Sequence, residues 1–183
     1  MQFQPAIPTR GAKVPAGPEW LHEVKYDGFR RIVSRDGDRV RLITGGGYDW
    51  SKRYPWIVES ALKNRIKQFV IDGEAVVLGV DGISDFEALY SRKHDDEVQL
   101  YAFDILALDG KDLRGLPLSM RKTNLAPARW HLRRAVRGRR DRICSWRPAG
   151  WGWRVWSRSG GTARIRLAGR SIGSRSRTAA IRQ

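Results

Sequence analysis

Three short segments of this sequence set reactive side chains beside backbone breakers in arrangements that could do chemistry. The first is His22-Glu23-Val24-Lys25-Tyr26-Asp27-Gly28-Phe29-Arg30. A lysine in a strand-like stretch, followed by a loop-forming Asp-Gly and then an arginine, can aim an amine at a phosphate while the arginine grips the sugar or phosphate nearby. The same residues also read as an edge-strand lysine beside a turn. The second segment is Phe69-Val70-Ile71-Asp72-Gly73-Glu74-Ala75-Val76-Val77-Leu78. A carboxylate in so apolar a strand costs free energy unless a cation, a metal or a hydroxyl pairs with it, so Glu74 needs a partner. Its other reading is a polar residue on the solvated face of a two-faced strand. In the third, Tyr101-Ala102-Phe103-Asp104-Ile105-Leu106, alternation puts Tyr101, Phe103 and Ile105 on one face. Phe103 is then either core or a platform on which a base stacks.

The elements that must hold these segments are legible in outline. His22 to Arg35 and Arg39 to Thr44 are β-rich and meet at Asp36-Gly37-Asp38, a hairpin signal. A helix is expected from Tyr54-Pro55, with proline in its first turn and Val58 and Leu62 on one side. Phe69 to Leu78 and Val98 to Leu108 read as strands, each closed by an Asp-Gly turn. Ser84 and Glu87 have the spacing of a capping box that starts a short helix through Tyr90. Strand-rich segments mixed with short helices predict an α+β fold with antiparallel sheets.

Charge divides the chain in two. Its 183 residues carry a net charge of +16, yet residues 1–123 hold 19 basic and 18 acidic side chains, while 124–183 hold sixteen arginines against Asp141 alone. All eight lysines lie in the first part and five of the eight tryptophans in the second. One cysteine, Cys144, excludes a disulfide framework and points to a reducing compartment. Met1 to Arg10 has no apolar run of the kind a secretory leader needs, and no stretch is apolar for long enough to span a bilayer. These features predict a soluble cytoplasmic protein. His22, His94 and His131 have no metal-ligating spacing.

Taken in order, the three segments have the forms KxDG (Lys25-Tyr26-Asp27-Gly28), DGEA (Asp72-Gly73-Glu74-Ala75) and YxxFDIL (Tyr101 to Leu106). With Asp49-Trp50-Ser51-Lys52-Arg53-Tyr54-Pro55 and Asp85-Phe86-Glu87-Ala88-Leu89 between them, residues 1–123 resemble the adenylation domain of ATP-dependent DNA ligases, particularly the bacterial end-joining-repair type. The resemblance implies an ATP-grasp-like nucleotidyltransferase fold, here incomplete. It implies that Lys25 attacks the α-phosphate of ATP, expels pyrophosphate and holds AMP as a phosphoramidate. AMP then passes to a nicked 5′-phosphate, and the adjoining 3′-hydroxyl displaces it. An amine attacks only when unprotonated, and the charge gathering on the phosphates must be met by metal and basic groups. By the same resemblance Arg30 holds ribose or phosphate, Glu74 the ribose hydroxyl or the shell of Mg²⁺ or Mn²⁺, Phe103 the adenine face, and Glu23 or its backbone the adenine edge, with Val24 also among the cofactor-binding residues. The implied partners are nicked or broken double-stranded DNA and end-joining repair proteins, with no membrane, for a monomer associated with the nucleoid. mRNA-capping and RNA-ligating enzymes share the KxDG lysine, but the match from Trp20 to Lys122 is of the DNA ligase type.

Two departures stand out. Gly45-Gly46-Gly47 replaces the Arg-Asn-Gly of the family; Gly47 keeps the turn, but an arginine expected on nucleotide or DNA is gone. The family also carries an E-G-[hydrophobic]₂-x-K motif, a K-x-K motif and commonly an OB-fold, whereas this sequence has no glutamate after Glu97 and no lysine after Lys122. Residues 124–183 are expected to lack both motifs and an OB-fold and to be largely disordered. They read in two ways. One is an arm that neutralises phosphates with arginine and stacks Trp151, Trp153 and Trp156 on bases, the basis of a noncatalytic nucleic-acid-binding alternative. The other is a GC-rich gene read out of register. The bases that must underlie Trp151 to Ser159, read two positions later, permit Gly-Leu-Glu-Gly-Leu-Val-Ser-Lys, and those under Ile172 to Arg177 permit Trp-Ile-Lys-Val-Lys. Both missing motifs are thus permitted in one frame and in order, which points to a frameshift near Asn124 to Arg129.

Overall fold

The computed structural model describes residues 3, 8–10, 20–125, 131–132, 153–157 and 165–168. Two sheets organise them. The larger, six-stranded sheet runs in the order β4 (Arg39–Thr44), β3 (Phe29–Asp36), β5 (Gln68–Val76), β6 (Gln99–Leu108) and β7 (Lys111–Asp112), with β8 (His131–Leu132) also on β6. All its pairs are antiparallel. The smaller sheet runs β1 (Pro8–Arg10), β10 (Ile165–Ala168), β9 (Trp153–Ser157), β2 (Trp20–Val24), and only β1 and β10 pair in parallel. Helices α1 (Pro55–Leu62), α2 (Phe86–Ser91) and α3 (Leu118–Leu125) complete the described part. The α+β expectation with antiparallel sheets is borne out.

The β3–β4 hairpin turns at Gly37, as the sequence predicts. The stretch from His22 to Arg35 does not stay in one sheet, however. It breaks at 25–28, sending β2 to the smaller sheet and β3 to the larger. Gly28 sits at that break pressed on β5, where a Cβ would lie 2.3 Å from the Ala75 carbonyl oxygen. Only a residue without a side chain permits so close an approach.

One face of the larger sheet is covered by α1 and α2, and here the main core gathers Val33, Leu42, Tyr54, Phe69, Ile71, Leu100 and Ile105 with Ile57 and Leu89 from the helices. Pro55 stands in the first turn of α1 as expected, but the buried pair is Ile57 and Ala61. Leu62 is exposed and Val58 only borders the core, so the apolar face begins one residue earlier than Val58 and Leu62 suggest. In α2 the cap is Asp85, whose carboxylate accepts the Ala88 N–H at 2.9 Å, in place of the expected Ser84.

The opposite face holds a smaller apolar group, Ile32, Val70, Leu106 and Ala107. In β5 the side chains alternate, so Asp72 and Glu74 follow Val70 onto this second face. In β6 the alternation is interrupted twice. Val70 pairs with Ala107 but Ile71 with Ile105, and Asp72 pairs with Asp104 but Gly73 with Ala102. Leu106 and Phe103 are therefore extra residues in β6, bulged out of register. Consequently Ile105 joins Leu100 and Ala102 on the main core, and the shared face expected for Tyr101, Phe103 and Ile105 does not exist.

Parts of the tail, expected to lack regular structure, form strands: His131–Leu132, Trp153–Ser157 and Ile165–Ala168. Trp, Val and Ile suit a pleated surface, and β9 sets Arg154 opposite Glu23 and Trp153 opposite Val24 of β2. The remaining residues after 125, including Cys144 and the proposed frameshift point past Leu125, lie outside the described residues.

Candidate active site

The second face of the larger sheet brings Arg30, Glu74 and Phe103 together, with Asp72 and Tyr101 beside them. Arg30 at the start of β3 is the register partner of Glu74 in β5, and Glu74 is the partner of Tyr101 in β6. Arg30 makes a bidentate pair with Asp72, Nε to Oδ1 at 2.9 Å and Nη2 to Oδ2. Asp72 is only 2% exposed, so the arginine supplies the cation that a carboxylate so deep in an apolar strand requires. Asp72, the more deeply buried of the two carboxylates, is thus the one that takes the guanidinium. Glu74 is itself 9% exposed.

Phe103, bulged from β6, lies under Arg30, with the guanidinium carbon 5.3 Å from the ring centroid. A guanidinium over an aromatic face is attractive because the ring carries negative charge on its faces. The Tyr101 ring packs at a tilt of 31° against that of Tyr26 in the KxDG segment, 4.6 Å between centroids. That contact joins the loop after β2 to the larger sheet. Gly73 allows the bulge, since a Cβ there would stand 2.9 Å from the Tyr101 carbonyl oxygen.

Lys25 lies just past the end of β2, largely shielded, with its ammonium ion-paired to Asp27. The Asp27 N–H donates to Ser84 Oγ at 3.0 Å, across 57 positions of chain. Ser84, read from the sequence as a helix cap, instead anchors the loop that carries the lysine. Removing that acceptor with Ser84→Ala is expected to cost about 1 kcal/mol and to speed Asp27 amide exchange about tenfold, with Ser84→Thr retaining protection. Hydrogen exchange measured residue by residue checks it, and unchanged Asp27 protection in Ser84→Ala would remove the anchor.

Glu23, two residues before Lys25, is ion-paired with Lys122 of α3, and the same ammonium donates to the Phe103 carbonyl oxygen. Val24 closes β2 between them. Lys122 carries no sequence signal beyond being the last lysine. Arg121 beside it is sunk on Asp104 through Nε at 2.9 Å and Nη2 at 3.1 Å, with Nη1 on the Leu116 carbonyl at 2.7 Å.

The segment Asp49 to Pro55 has a supporting role. Arg31 and Arg53 both lie against the Trp50 ring, at 3.9 and 4.4 Å, and Arg53 is held by both oxygens of Asp95 at 2.8 Å. Burial pushes the Arg31 guanidinium down to about 10. The Asp95 hydrogen bonds move Arg53 the other way, upward. Near the Gly45–Gly47 departure, Asp49 is pushed up by burial, but hydrogen bonds from the Ser51 hydroxyl and backbone and from Arg41 outweigh that and leave it below the usual carboxylate range. Gly47 keeps the turn at φ +86°, its N–H donating to the Thr44 carbonyl at 2.9 Å.

Among the described residues no group of three or more His, Cys, Asp or Glu is placed to hold a metal ion by itself. A single carboxylate such as Glu74 fits a hard divalent cation that draws its other oxygens from water and substrate phosphates. The second face therefore offers the Asp72 and Glu74 carboxylates, the Arg30 guanidinium and the Phe103 ring, with the Lys25 amine just past the end of β2.

Known proteins resemble this chain over the same part of its length. The chain is 39% identical over 97 residues to the multifunctional non-homologous end joining DNA repair protein LigD of Mycobacterium tuberculosis, covering 53% of this chain and 13% of the relative. It is 35% identical over 136 residues to DNA ligase C of the same organism, covering 68% of this chain and 38% of the relative. Among solved structures, the ligase domain of M. tuberculosis LigD superposes with a TM-score of 0.60 at 33% identity, covering 67% of this chain and 41% of that one. A mycobacterial DNA ligase D complexed with ATP and MES gives 0.59, with the same identity and coverage. The chain thus spans well under half the length of these relatives. The family described as the ATP dependent DNA ligase domain matches residues 10–133, and with more than half of its length so matched, this chain belongs to that family.

Proposed function

We propose that this chain carries the nucleotide-accepting part of an ATP-dependent DNA ligase and forms a lysine–AMP bond at Lys25. The observation that carries the reading is the placement of Lys25 at the end of β2, with Glu23 linked through Lys122 to the backbone of Phe103, whose ring lies under Arg30. In the step proposed, the unprotonated Lys25 Nζ attacks the α-phosphorus, the P–N bond forms, and the bond to pyrophosphate breaks. Phe103 offers the face for adenine, Glu23 or its backbone the edge, with Val24 beside it, Arg30 the sugar or phosphate contact, and Glu74 the ribose hydroxyl or the metal shell. Mg²⁺, when bound, supplies positive charge to phosphate oxygens. The DNA substrate is a nick or break, the expected partners are end-joining repair proteins, and the setting is a monomer at the nucleoid. Among the described residues no helix is long and apolar enough to cross a membrane.

The reading includes an impairment. Within these 183 residues there is no glutamate after Glu97 and no lysine after Lys122, so they do not themselves supply two sets of phosphate-binding groups found in the family, and the arginine before Gly47 is missing as well. Transfer to Lys25 is therefore expected to be slow and nick sealing to be negligible. Incubation with labelled ATP and Mg²⁺, followed by denaturing electrophoresis, should show a faint band, and robust labelling with sealed nicks would contradict the impairment. Out-of-frame translation past Asn124 to Arg129 is the proposed origin of the tail. The coding DNA decides this, because the shifted frame must spell both E-G-L-V-x-K and K-x-K.

A further inference from the structure

Among the described residues, Lys122 ties the strand delivering Lys25 to the strand presenting Phe103 through a shared ammonium. Its Nζ meets the Glu23 carboxylate on β2 and the Phe103 carbonyl oxygen on β6. Strand β2 belongs to the smaller sheet and β6 to the larger, so this contact bridges two sheets. The bridge is held from behind. Lys122 follows Arg121, which is fixed by its two-point grip on buried Asp104 and by the Leu116 carbonyl, so α3 cannot turn without breaking a buried ion pair.

We infer that Lys122 is a positioning residue for base selection: by clamping Glu23 to the Phe103 backbone it fixes a carboxylate acceptor at the edge of the aromatic platform, which favours a purine bearing an amino group there. The inference rests on the proposed function, in which Phe103 and Glu23 receive the base. Its chemistry is that of complementary edges. Adenine presents an exocyclic amine, a donor, at the position where guanine presents a carbonyl oxygen. A fixed carboxylate accepts from the first and repels the second. An acceptor free to swing away discriminates less, because the wrong base no longer forces a buried mismatch. Phe103 adds to the need for a clamp. It is a bulged residue that the β5–β6 register skips, so the hydrogen bond at its carbonyl from Lys122 fixes the backbone that carries the ring.

The test measures equilibrium binding of ATP and GTP to the full chain by ligand-observed NMR, which needs no turnover. Wild type is expected to prefer ATP at least about tenfold, and Lys122→Met, which keeps the chain length and removes the charge, to prefer it by no more than about twofold. Lys122→Arg, which keeps the ion pair, should restore most of the preference. A merely structural lysine would weaken both nucleotides equally and leave their ratio unchanged; that result overturns the inference. Wild type that binds ATP without preferring it to GTP overturns it too. A wild type that binds neither nucleotide sinks the proposed function, and this inference with it. A second measurement requires only the native protein for its outcome. In chain labelled with ¹³C-lysine, the Lys122 Cε signal, assigned by its loss in Lys122→Arg, should shift on adding ATP and by less than half as much at equal saturation with GTP. Equal shifts, or none while ATP binds, would sink the inference even where Lys122→Met fails to fold.

Discussion

Lys25→Ala is expected to abolish covalent attachment of nucleotide, taking even the faint wild-type band below detection. The other described cations near the strand ends are committed: Arg30 is a guanidinium paired with Asp72, and the Lys122 amine is engaged by Glu23 and the Phe103 carbonyl. Lys25→Arg should fail as completely, because a guanidinium offers no unprotonated nitrogen near neutral pH. The chemistry supplies an internal check. A phosphorus–nitrogen bond to lysine should be lost in acid and survive alkali, whereas an ester to a hydroxyl or a carboxyl would behave differently. Label that persists in Lys25→Ala would place the nucleophile elsewhere and end the proposed mechanism. Binding of ATP itself, measured without turnover, should change by less than about threefold in Lys25→Ala, since the amine acts on the transition state more than on the bound nucleotide.

Arg121→Met should bring the largest loss of stability. The Arg121 and Asp104 side chains are both almost fully buried, and the ion pair is bidentate. Removing the arginine leaves a carboxylate in the interior with its charge uncompensated, at a cost of about 3–5 kcal/mol, a large part of the roughly 5–15 kcal/mol that holds a domain together. Urea denaturation should show the midpoint falling with little change of slope. The double variant Arg121→Met with Asp104→Leu should recover most of the loss, because it removes the stranded charge together with its partner. A single variant as stable as wild type would mean that the pair contributes nothing. Its location is what matters for function, since the same turn of α3 presents Lys122 to Glu23.

Much of this arrangement is legible in the residues themselves. Asp36-Gly37-Asp38, Pro55 and the apolar run around Asp72 report local backbone preferences, and these survive folding because neighbours do not oppose them. The sites of error share one cause, namely contacts distant in sequence. Ser84 has the composition of a helix cap, but Asp85 takes that task and Ser84 reaches the Asp27 backbone 57 residues away. Val58 and Leu62 have the right spacing for a buried face, yet packing against β3 and β4 selects Ile57 and Ala61. In β6 strict alternation fails because two residues are inserted relative to β5, and no propensity marks Phe103 or Leu106 as the extras. Lys122 carries no pattern of its own, and the DGEA form does not tell which of Asp72 and Glu74 takes the guanidinium. The importance of Asp72 and Lys122 comes from Arg30 and Glu23, which the chain brings near only when β3, β5, β6 and α3 are assembled.

The double bulge makes the aim of Phe103 a matter of counting. Deleting one residue between Ala102 and Leu106 would restore an even repeat over part of the strand and rotate its remaining residues by half a turn, trading polar groups for apolar ones across the sheet. Swapping the ring for another aromatic, by contrast, changes what is presented without changing where it is presented. The strand therefore tolerates new chemistry at a fixed address and resists any shift of the address. Variation at this spot in related proteins is expected to run through substitution, with gain or loss of length excluded.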